Sequence, residues 1–185
     1  MQIRTVLDLA KAASNSRLRT VEWCRSFRLS TDHDYGDQFY PNENQAVELS
    51  DGVVGAFARG LGFRRTRTLS HDGGEHWQST EIVQGQFEPL TGCEGSTIAC
   101  RNGSMLVYSG VLNEPIIRAD MSILTSRDYG HSWRTILVVD VGAAAYSSLA
   151  WCGAFLGLLY ERASSPRIVF EPDHISFARL ADPCQ

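Results

Sequence analysis

The chain has 185 residues, of which 17 are Lys or Arg and 21 are Asp or Glu, so its formal net charge is −4. Apolar residues make up 43% of the sequence, which is typical of a globular protein and excludes a disordered or fibrous chain. The mild negative charge argues against a nucleic-acid partner, because such binding needs a clustered basic surface.

The first thirty residues differ from the rest in their pattern. Apolar side chains between Val6 and Ala13 recur at helical spacing, which predicts a short helical extension over residues 1–30. The start of the chain lacks the positively charged residues followed by an apolar stretch that are typical of a secretory signal. We therefore divide the chain into this extension and one domain over residues 31–185.

A repeat organises that domain. Three turn signals between apolar runs contain Gly52, Gly103 and Gly153, which recur about every fifty residues. The predicted strands are 45–49, 53–58, 65–70 and 80–83 in the first unit, 96–100, 105–109, 121–126 and 135–140 in the second, and 147–151, 155–160, 167–170 and 174–180 in the third. Four short strands per unit indicate an all-β fold of about three β-propeller blades.

Two consequences follow from this repeat. Residues 141–160 carry no charge and are long enough to span a bilayer, but the repeat divides them into two strands, so no integral membrane segment is expected. Three blades cannot close a ring, so the domain should keep an open edge that favours self-association.

A second element appears twice. The pattern S-x-D-x-G-x-x-W runs from Ser70 to Trp77 and again from Ser126 to Trp133, and residues 32–39 hold a degraded copy. The Asp accepts backbone N–H groups in a tight turn, the Gly takes the special φ, and the Trp covers the turn. We interpret these segments as structural turns and assign them no chemistry.

The remaining reactive side chains point to no metal or redox site. No two of the five cysteines form a C-x-x-C pair, and the histidines are scattered, although a disulfide stays open. Arg64, Arg65 and Arg67 are expected at the solvated start of a strand, and not in a nucleic-acid patch.

The strand layout predicts which side chains meet. In an up-and-down blade the two S-x-D-x-G-x-x-W turns lie at one end, and the start of strand one lies at the other. Six side chains are expected at that second end: Glu43, Arg59, Glu94, Arg118, Tyr146 and Glu161. Two guanidiniums at one site favour an anionic ligand, and a carboxylate fits their geometry. The alternatives are strand-end ion pairs for the arginines and core packing for the tyrosine.

Four segments in order resemble the sialidase (neuraminidase) family of six-bladed propellers. Residues 42–52, N-E-N-Q-A-V-E-L-S-D-G, are similar to the family's N-E-P-Q-x-V-E-L-x-D-G, and residues 92–96, G-C-E-G-S, to its G-C-Q-G-S. Residues 146–149, Y-S-S-L, followed by L-Y-E at 159–161, resemble its Y-S-x-L and L-Y-E. The two repeated turns resemble its Asp boxes. The resemblance covers residues 30–180.

This resemblance implies an exo-α-sialidase that releases sialic acid from glycans with retention and needs no metal or cofactor. Tyr146 matches the nucleophile and Glu43 its partner. Arg59 and Arg118 match the second and third arginines that hold the substrate carboxylate. Glu94 stands where the family commonly has Gln and adds negative charge near an anion site.

The chain also departs from the family. The family's first carboxylate-binding arginine and its acid/base aspartate have no counterpart that can be placed, since Phe27-Arg28 is only a faint echo without the proline. The sequence thus resembles the C-terminal half of a sialidase. The alternatives are a non-catalytic propeller fragment that binds anionic glycans or a protein partner, and a propeller unrelated to sialidases in which Tyr146 affects stability alone.

Overall fold

The computed structural model describes residues 42–50, 52–60, 62–86, 88–101, 103, 105–112, 116–165 and 171–185. This part of the chain forms ten β-strands, and its all-β class matches the sequence prediction. None of its segments is a helix long and apolar enough to cross a bilayer. The predicted N-terminal helix and the degraded turn at residues 32–39 lie outside the described residues.

The first sheet has four antiparallel strands in sequence order. They are β1 (Asn42–Ser50), β2 (Val53–Arg59), β3 (Arg65–Ser70) and β4 (Glu81–Ile82). Gly52 turns the chain between β1 and β2 with a φ of 79°, as a hairpin signal requires. β4 is only two residues long, shorter than the predicted 80–83.

The second sheet has six antiparallel strands, again in sequence order. They are β5 (Ser96–Ala99), β6 (Leu106–Val111), β7 (Ala119–Ser126), β8 (Arg134–Cys152), β9 (Phe155–Arg162) and β10 (His174–Leu180). The predicted second and third units are therefore joined in one sheet.

The reason for this joining is β8, which replaces two predicted strands. The sequence separates 135–140 from 147–151, but the structure keeps 19 consecutive residues extended. β8 pairs with β7 as far as Ala143, opposite Ala119, and Ala144 already pairs with Arg162 of β9. The strand thus passes from one neighbour to the next between adjacent residues, so no loop is needed between the units.

The position of β10 also differs from the prediction. The sequence analysis places residues 174–180 fourth in their unit, after a strand at 167–170. In the structure β10 pairs directly with β9, from His174 opposite Arg162 to Leu180 opposite Leu156, and so it takes the third position. The predicted strand at 167–170 lies outside the described residues.

The two S-x-D-x-G-x-x-W turns share the hydrogen bonds of their serine with the aspartate and the glycine. In the second, the Ser126 hydroxyl donates to the Asp128 carboxylate at 2.7 Å and accepts the Gly130 N–H at 2.9 Å. The Trp133 indole donates to the Gly130 carbonyl. The turn at residues 70–77 repeats the serine–aspartate and serine–glycine bonds. Both turns are structural, as their pattern indicates.

Two apolar clusters form the core. Trp133 packs edge-on against Phe57 of the first sheet, at 6.0 Å between ring centroids, and against Tyr108 at 5.8 Å. A second cluster lies within the six-stranded sheet, around Met121 and Leu156, both fully buried. The first cluster therefore joins the two sheets.

A disulfide links Cys100, just after β5, to Cys184 near the end of the chain. It resolves the pairing that the sequence leaves open. Cys93 is a buried thiol and Cys152 a partly buried one. Cross-linking residues 84 positions apart stabilises the fold by about 4.5 kcal/mol in the chain-entropy description.

The prediction of a solvated arginine cluster is wrong for two of its three members. Arg65 is 1% exposed and Arg67 is 8% exposed. Both are compensated by carboxylates, because Arg65 pairs with Glu88 and Arg67 with Glu81 at 2.7 Å. Buried arginines of this kind need such partners, which lie 14 or more positions away in the sequence.

Candidate active site

The first strands of the three units lie side by side and bring their starting residues together. The Gln45 side chain of β1 accepts the Thr97 N–H of β5 at 2.5 Å. The Ser96 hydroxyl of β5 accepts the Leu149 N–H of β8 at 3.0 Å. These side-chain bonds replace a backbone ladder between the strands, so the three strands can converge at one end.

At that end Tyr146, Glu43 and Arg59 form a closed hydrogen-bonded triangle. The Tyr146 hydroxyl donates to Glu43 Oε1 at 2.6 Å. Arg59 Nη1 lies 2.6 Å from Glu43 Oε2 and 3.1 Å from the Tyr146 hydroxyl. The side chains of Glu43 and Arg59 are 28% and 13% exposed, so the triangle is reachable from solvent through its carboxylate side.

Arg118 completes the cationic part of the cluster. Its guanidinium stands 5.2 Å from the centroid of the Tyr146 ring, which is a cation–π distance. One Arg118 nitrogen donates to the Gly92 carbonyl at 3.2 Å, and Arg59 donates twice to the Thr91 carbonyl. Neighbouring carbonyls of one loop thus hold both arginines.

Glu94 and Glu161 flank the tyrosine through its backbone. The Glu94 carboxylate accepts the Ser147 N–H at 3.2 Å, and the Glu161 carboxylate accepts the Tyr146 N–H at 3.4 Å. The six side chains that the strand layout predicts at this end therefore stand close together. Their chemical roles stay predictions.

β-bulges stand next to three of these side chains. Glu43 has a φ of 47°, where the register of β1 against β2 shifts between Asn42 and Gln45. A further register shift, between Ala144 and Ser147, includes Tyr146. Asp120, two residues after Arg118, has a φ of 59° at a shift in β7. Bulges re-aim side chains, and strained non-glycine residues concentrate at functional sites.

The pKa shifts separate the two carboxylates nearest the tyrosine. Burial raises the pKa of Glu43, but the hydrogen bonds from Tyr146 and Arg59 outweigh it and hold that pKa below the ordinary 4.5. Burial, assisted by the negative charges of Glu43 and Glu161, raises the pKa of Glu94 above 4.5. The hydrogen bond to Glu43, together with burial, raises the pKa of Tyr146 above 10.0.

This arrangement can perform base-assisted nucleophilic chemistry beside an anion. At neutral pH the Tyr146 phenol is protonated and donates to an ionised Glu43, so a proton acceptor stands ready for a weak nucleophile. Arg59 and Arg118 supply positive charge next to the hydroxyl. The described residues contain no group of three His, Cys, Asp or Glu side chains able to hold a metal ion.

The open space around the cluster is small. A groove of about 200 Å³ runs from Tyr146 between Glu94 and Glu161 to the apolar side chains of Leu159 and Ile175. A larger cleft of about 480 Å³ lies at the opposite end, beside the turn at residues 126–133, and includes none of the clustered side chains. We take the smaller groove as the candidate site, because Tyr146, whose hydroxyl contacts Glu43 and Arg59, lines it.

Sequence reasoning missed the groups that hold the arginines. Backbone carbonyls such as those of Thr91 and Gly92 leave no signal in residue type. The buried pairing of Arg65 with Glu88 was also not predicted, since charged residues are usually exposed and these two are 23 positions apart. Only the unusual density of arginine at residues 64–67 could have prompted a search for carboxylates.

Comparison with known proteins identifies structural relatives. The chain is similar to the Hadza microbial sialidase Hz136, with 26% identity, a TM-score of 0.60 and coverage of 77% of this chain and 28% of that chain. It is similar to NanB, a sialidase of Streptococcus pneumoniae, with 22% identity, a TM-score of 0.62 and coverage of 75% of this chain and 23% of that chain. It is also similar to a leech intramolecular trans-sialidase, with 22% identity, a TM-score of 0.60 and coverage of 75% of this chain and 23% of that chain.

These similarities confirm the prediction of sialidase-type propeller blades and show the fold alone. The chain covers less than a third of the length of each of these three structures. No protein-family model matches the sequence, and no curated protein sequence matches it.

Proposed function

We propose that the chain carries the nucleophile and carboxylate-binding half of a sialidase-type site, which acts on terminal sialic acid of glycans. The observation that carries this proposal is the 2.6 Å hydrogen bond from the Tyr146 hydroxyl to Glu43, with Arg59 touching both. A tyrosine bonded to a carboxylate between two arginines is an uncommon constellation for a purely structural role.

The chemistry follows from these groups. Glu43 takes the phenolic proton while the Tyr146 oxygen forms a bond to the anomeric carbon, and the bond from that carbon to the glycosidic oxygen breaks, with its electron pair leaving on the aglycone. Water then forms a bond to the same carbon while the bond to the tyrosine oxygen breaks. The phenolate regains its proton from Glu43, and the attacking water gives one proton to the solvent, which supplies any proton that the aglycone takes up. Two displacements at one carbon retain its configuration.

The choice of tyrosine suits an anionic sugar. The anomeric carbon of sialic acid bears a carboxylate, which would repel a carboxylate nucleophile but does not repel a neutral phenol. Arg59 and Arg118 would hold that carboxylate through charge-assisted hydrogen bonds. Glu43 stays ionised at neutral pH and can therefore act as the base.

The test uses a substrate that needs no general acid, since none is assigned here. An umbelliferyl glycoside of sialic acid releases an acidic phenol, which leaves without protonation. We expect the purified chain to hydrolyse it, and Tyr146→Phe to lower the rate by about a thousandfold or more, as loss of a nucleophile does. Release of fluorescence measures the rate, and NMR of the first product establishes retention.

The matched control is Tyr129→Phe, which removes a phenolic hydroxyl from a half-exposed residue in the turn at the opposite end. It should keep the rate of the parent chain. Hydrolysis that survives Tyr146→Phe would overturn the proposal. Binding of sialic acid without turnover, lost in Arg59→Ala, would favour the second candidate, a propeller fragment that binds anionic glycans.

A further inference from the structure

Both arginines of the candidate site are held by one loop. Residues 88–95 form the last part of the connection between β4 and β5, and the Thr91 carbonyl accepts hydrogen bonds from Arg59 Nε at 3.1 Å and Nη2 at 2.8 Å. The next carbonyl, of Gly92, accepts Arg118 Nη2 at 3.2 Å. The position of this loop therefore sets the distance between the two guanidiniums.

A buried ion pair fastens the loop at two points. Arg65 Nε lies 2.5 Å from Glu88 Oε1, and each side chain is 1% exposed. Arg65 also donates to the Cys93 carbonyl at 2.8 Å, and Glu88 accepts the Cys93 N–H at 3.3 Å. The pair thus holds residues 88 and 93, on either side of the two carbonyls that contact Arg59 and Arg118.

Tyr108 of β6 supports the pair from the next unit. Its hydroxyl donates to Glu88 Oε1 at 3.2 Å, and its ring lies 4.7 Å from the Arg65 guanidinium. Gly95 and Gly110 make room for that hydroxyl, because a Cβ at either position would lie 2.2 or 2.3 Å from it. The network is closely packed on both sides.

The loop itself has little freedom to shift. Gly92 has a φ of 67°, and a Cβ there would lie 2.4 Å from the Gly60 carbonyl and 2.8 Å from Arg59 Cγ. Burial lowers the pKa of Arg65, but the Glu88 carboxylate outweighs it and holds that pKa above its ordinary value, so Arg65 stays charged. Separating a charged pair in this interior is strongly unfavourable, which resists movement of the loop.

We propose that Arg65 and Glu88 are positioning residues that act through the 88–95 loop to set the spacing of Arg59 and Arg118, and thereby the selectivity of the site for a carboxylate. Neither residue touches the ligand. This inference rests on the proposed function, because it assumes that the two arginines bind the carboxylate of sialic acid.

The experiment compares two ligands that differ only in that carboxylate: the glycal of sialic acid and its methyl ester. Calorimetric titration gives the affinity of each for the parent chain and for Glu88→Gln. We expect Glu88→Gln to weaken binding of the acid about tenfold and of the ester by less than about twofold, because the misplaced arginines lose charge-assisted hydrogen bonds to the acid alone. A purely structural defect would weaken both equally.

The matched control is Glu81→Gln. It breaks another Arg–Glu pair of the same sheet, whose arginine contacts Glu81, Tyr129 and His131 and not the loop. The ratio of acid to ester affinity should stay unchanged. If Glu88→Gln does not fold, Tyr108→Phe tests the positioning role in its place. This variant removes one hydroxyl and should lower the ratio of acid to ester affinity about threefold.

A second readout needs no ligand. Isotope-edited NMR follows the titration of the Tyr146 phenol, whose signal is assigned by its absence in Tyr146→Phe. The hydrogen bond from Arg59 lowers the pKa of Tyr146, so displacement of Arg59 in Glu88→Gln should raise that pKa above its value in the parent chain.

The two readouts separate the possible failures. If the parent chain binds neither ligand, the proposed function fails, and the Tyr146 titration still decides whether the loop positions Arg59. If the parent binds the acid but Glu88→Gln and Tyr108→Phe change neither the affinity ratio nor the titration, the positioning role is overturned and the proposed function stands.

Discussion

Two carboxylates beside Tyr146 have opposite electrostatic environments. Glu43 is held ionised by hydrogen bonds from Arg59 and the phenol, whereas Glu94 is partly buried, accepts the Ser147 N–H and faces the negative charges of Glu43 and Glu161. As the pH falls, Glu94 therefore gains a proton before Glu43 does. Between the two pKa values the site has an ionised base and one negative charge fewer.

This difference predicts the pH dependence of binding. We expect the affinity for the sialic acid glycal to rise about fivefold as the pH falls through the Glu94 pKa, because a negative charge near the ligand carboxylate disappears. Glu94→Gln should already bind the glycal more tightly than the parent chain does at neutral pH, and its affinity should not rise further as the pH falls. The rate of hydrolysis should fall only at lower pH, below 4.5, where Glu43 gains its proton. Calorimetry and rates across pH measure both effects.

An affinity that is independent of pH in the parent chain would contradict this assignment. So would a Glu94→Gln variant whose affinity still rises on acidification. The Glu48→Gln variant serves as a control, since Glu48 is an exposed carboxylate of the same strand as Glu43.

Among the elements, the turn at residues 126–133 does more than reverse the chain. Gly130 has a φ of 80°, and a Cβ there would lie 2.3 Å from Phe57 Cε1 of the first sheet. Gly74, its counterpart in the turn at residues 70–77, has a φ of 96° and only the Trp77 ring at 3.8 Å. The same motif therefore packs against the neighbouring sheet in one copy and lies open in the other.

The pair of glycines gives a matched stability test. Gly130→Ala should lower the free energy of unfolding by about 3 kcal/mol, because it adds overpacking against Phe57 to backbone strain. Gly74→Ala should lower it by about 1 kcal/mol, from backbone strain alone. Urea denaturation followed by tryptophan fluorescence measures both. Equal losses would show that Phe57 yields to the added methyl group.

At the scale of the whole molecule, the six-stranded sheet ends in an apolar margin. β10 is its last strand, and Ile175, Phe177 and the neighbouring Leu159 of β9 are 68%, 57% and 48% exposed. Single exposed apolar residues are ordinary, but three adjacent ones at the end strand of the described sheet form a surface suited to pairing with another chain. The predicted self-association through an open edge would use this margin.

We expect the purified chain to associate reversibly, with a sedimentation coefficient that increases with concentration. Phe177→Lys should weaken this association at least about tenfold, because it places a charge in the apolar margin. Ile116→Lys, at a residue that is 63% exposed between β6 and β7, should not weaken it. A chain that stays monomeric at every concentration, or equal effects of the two variants, would contradict the use of this margin.

The pattern of the sequence was sufficient for the local elements. Alternation, hairpin glycines and the repeated turns depend on neighbours in the chain, and they predicted an all-β propeller fold and most strand positions. The strand layout predicted which end of the strands would hold Glu43 and Tyr146, because strand direction follows from the order of turns.

Long-range contacts decided the rest. The continuity of β8 and the third position of β10 depend on which strand edge is free to pair, and the Cys100–Cys184 bridge depends on where the chain end returns. The burial of Arg65 with Glu88 and the carbonyls that hold the arginines arise only once separate segments pack together. Residue type records local preference, whereas these features depend on the distances between segments in the folded chain.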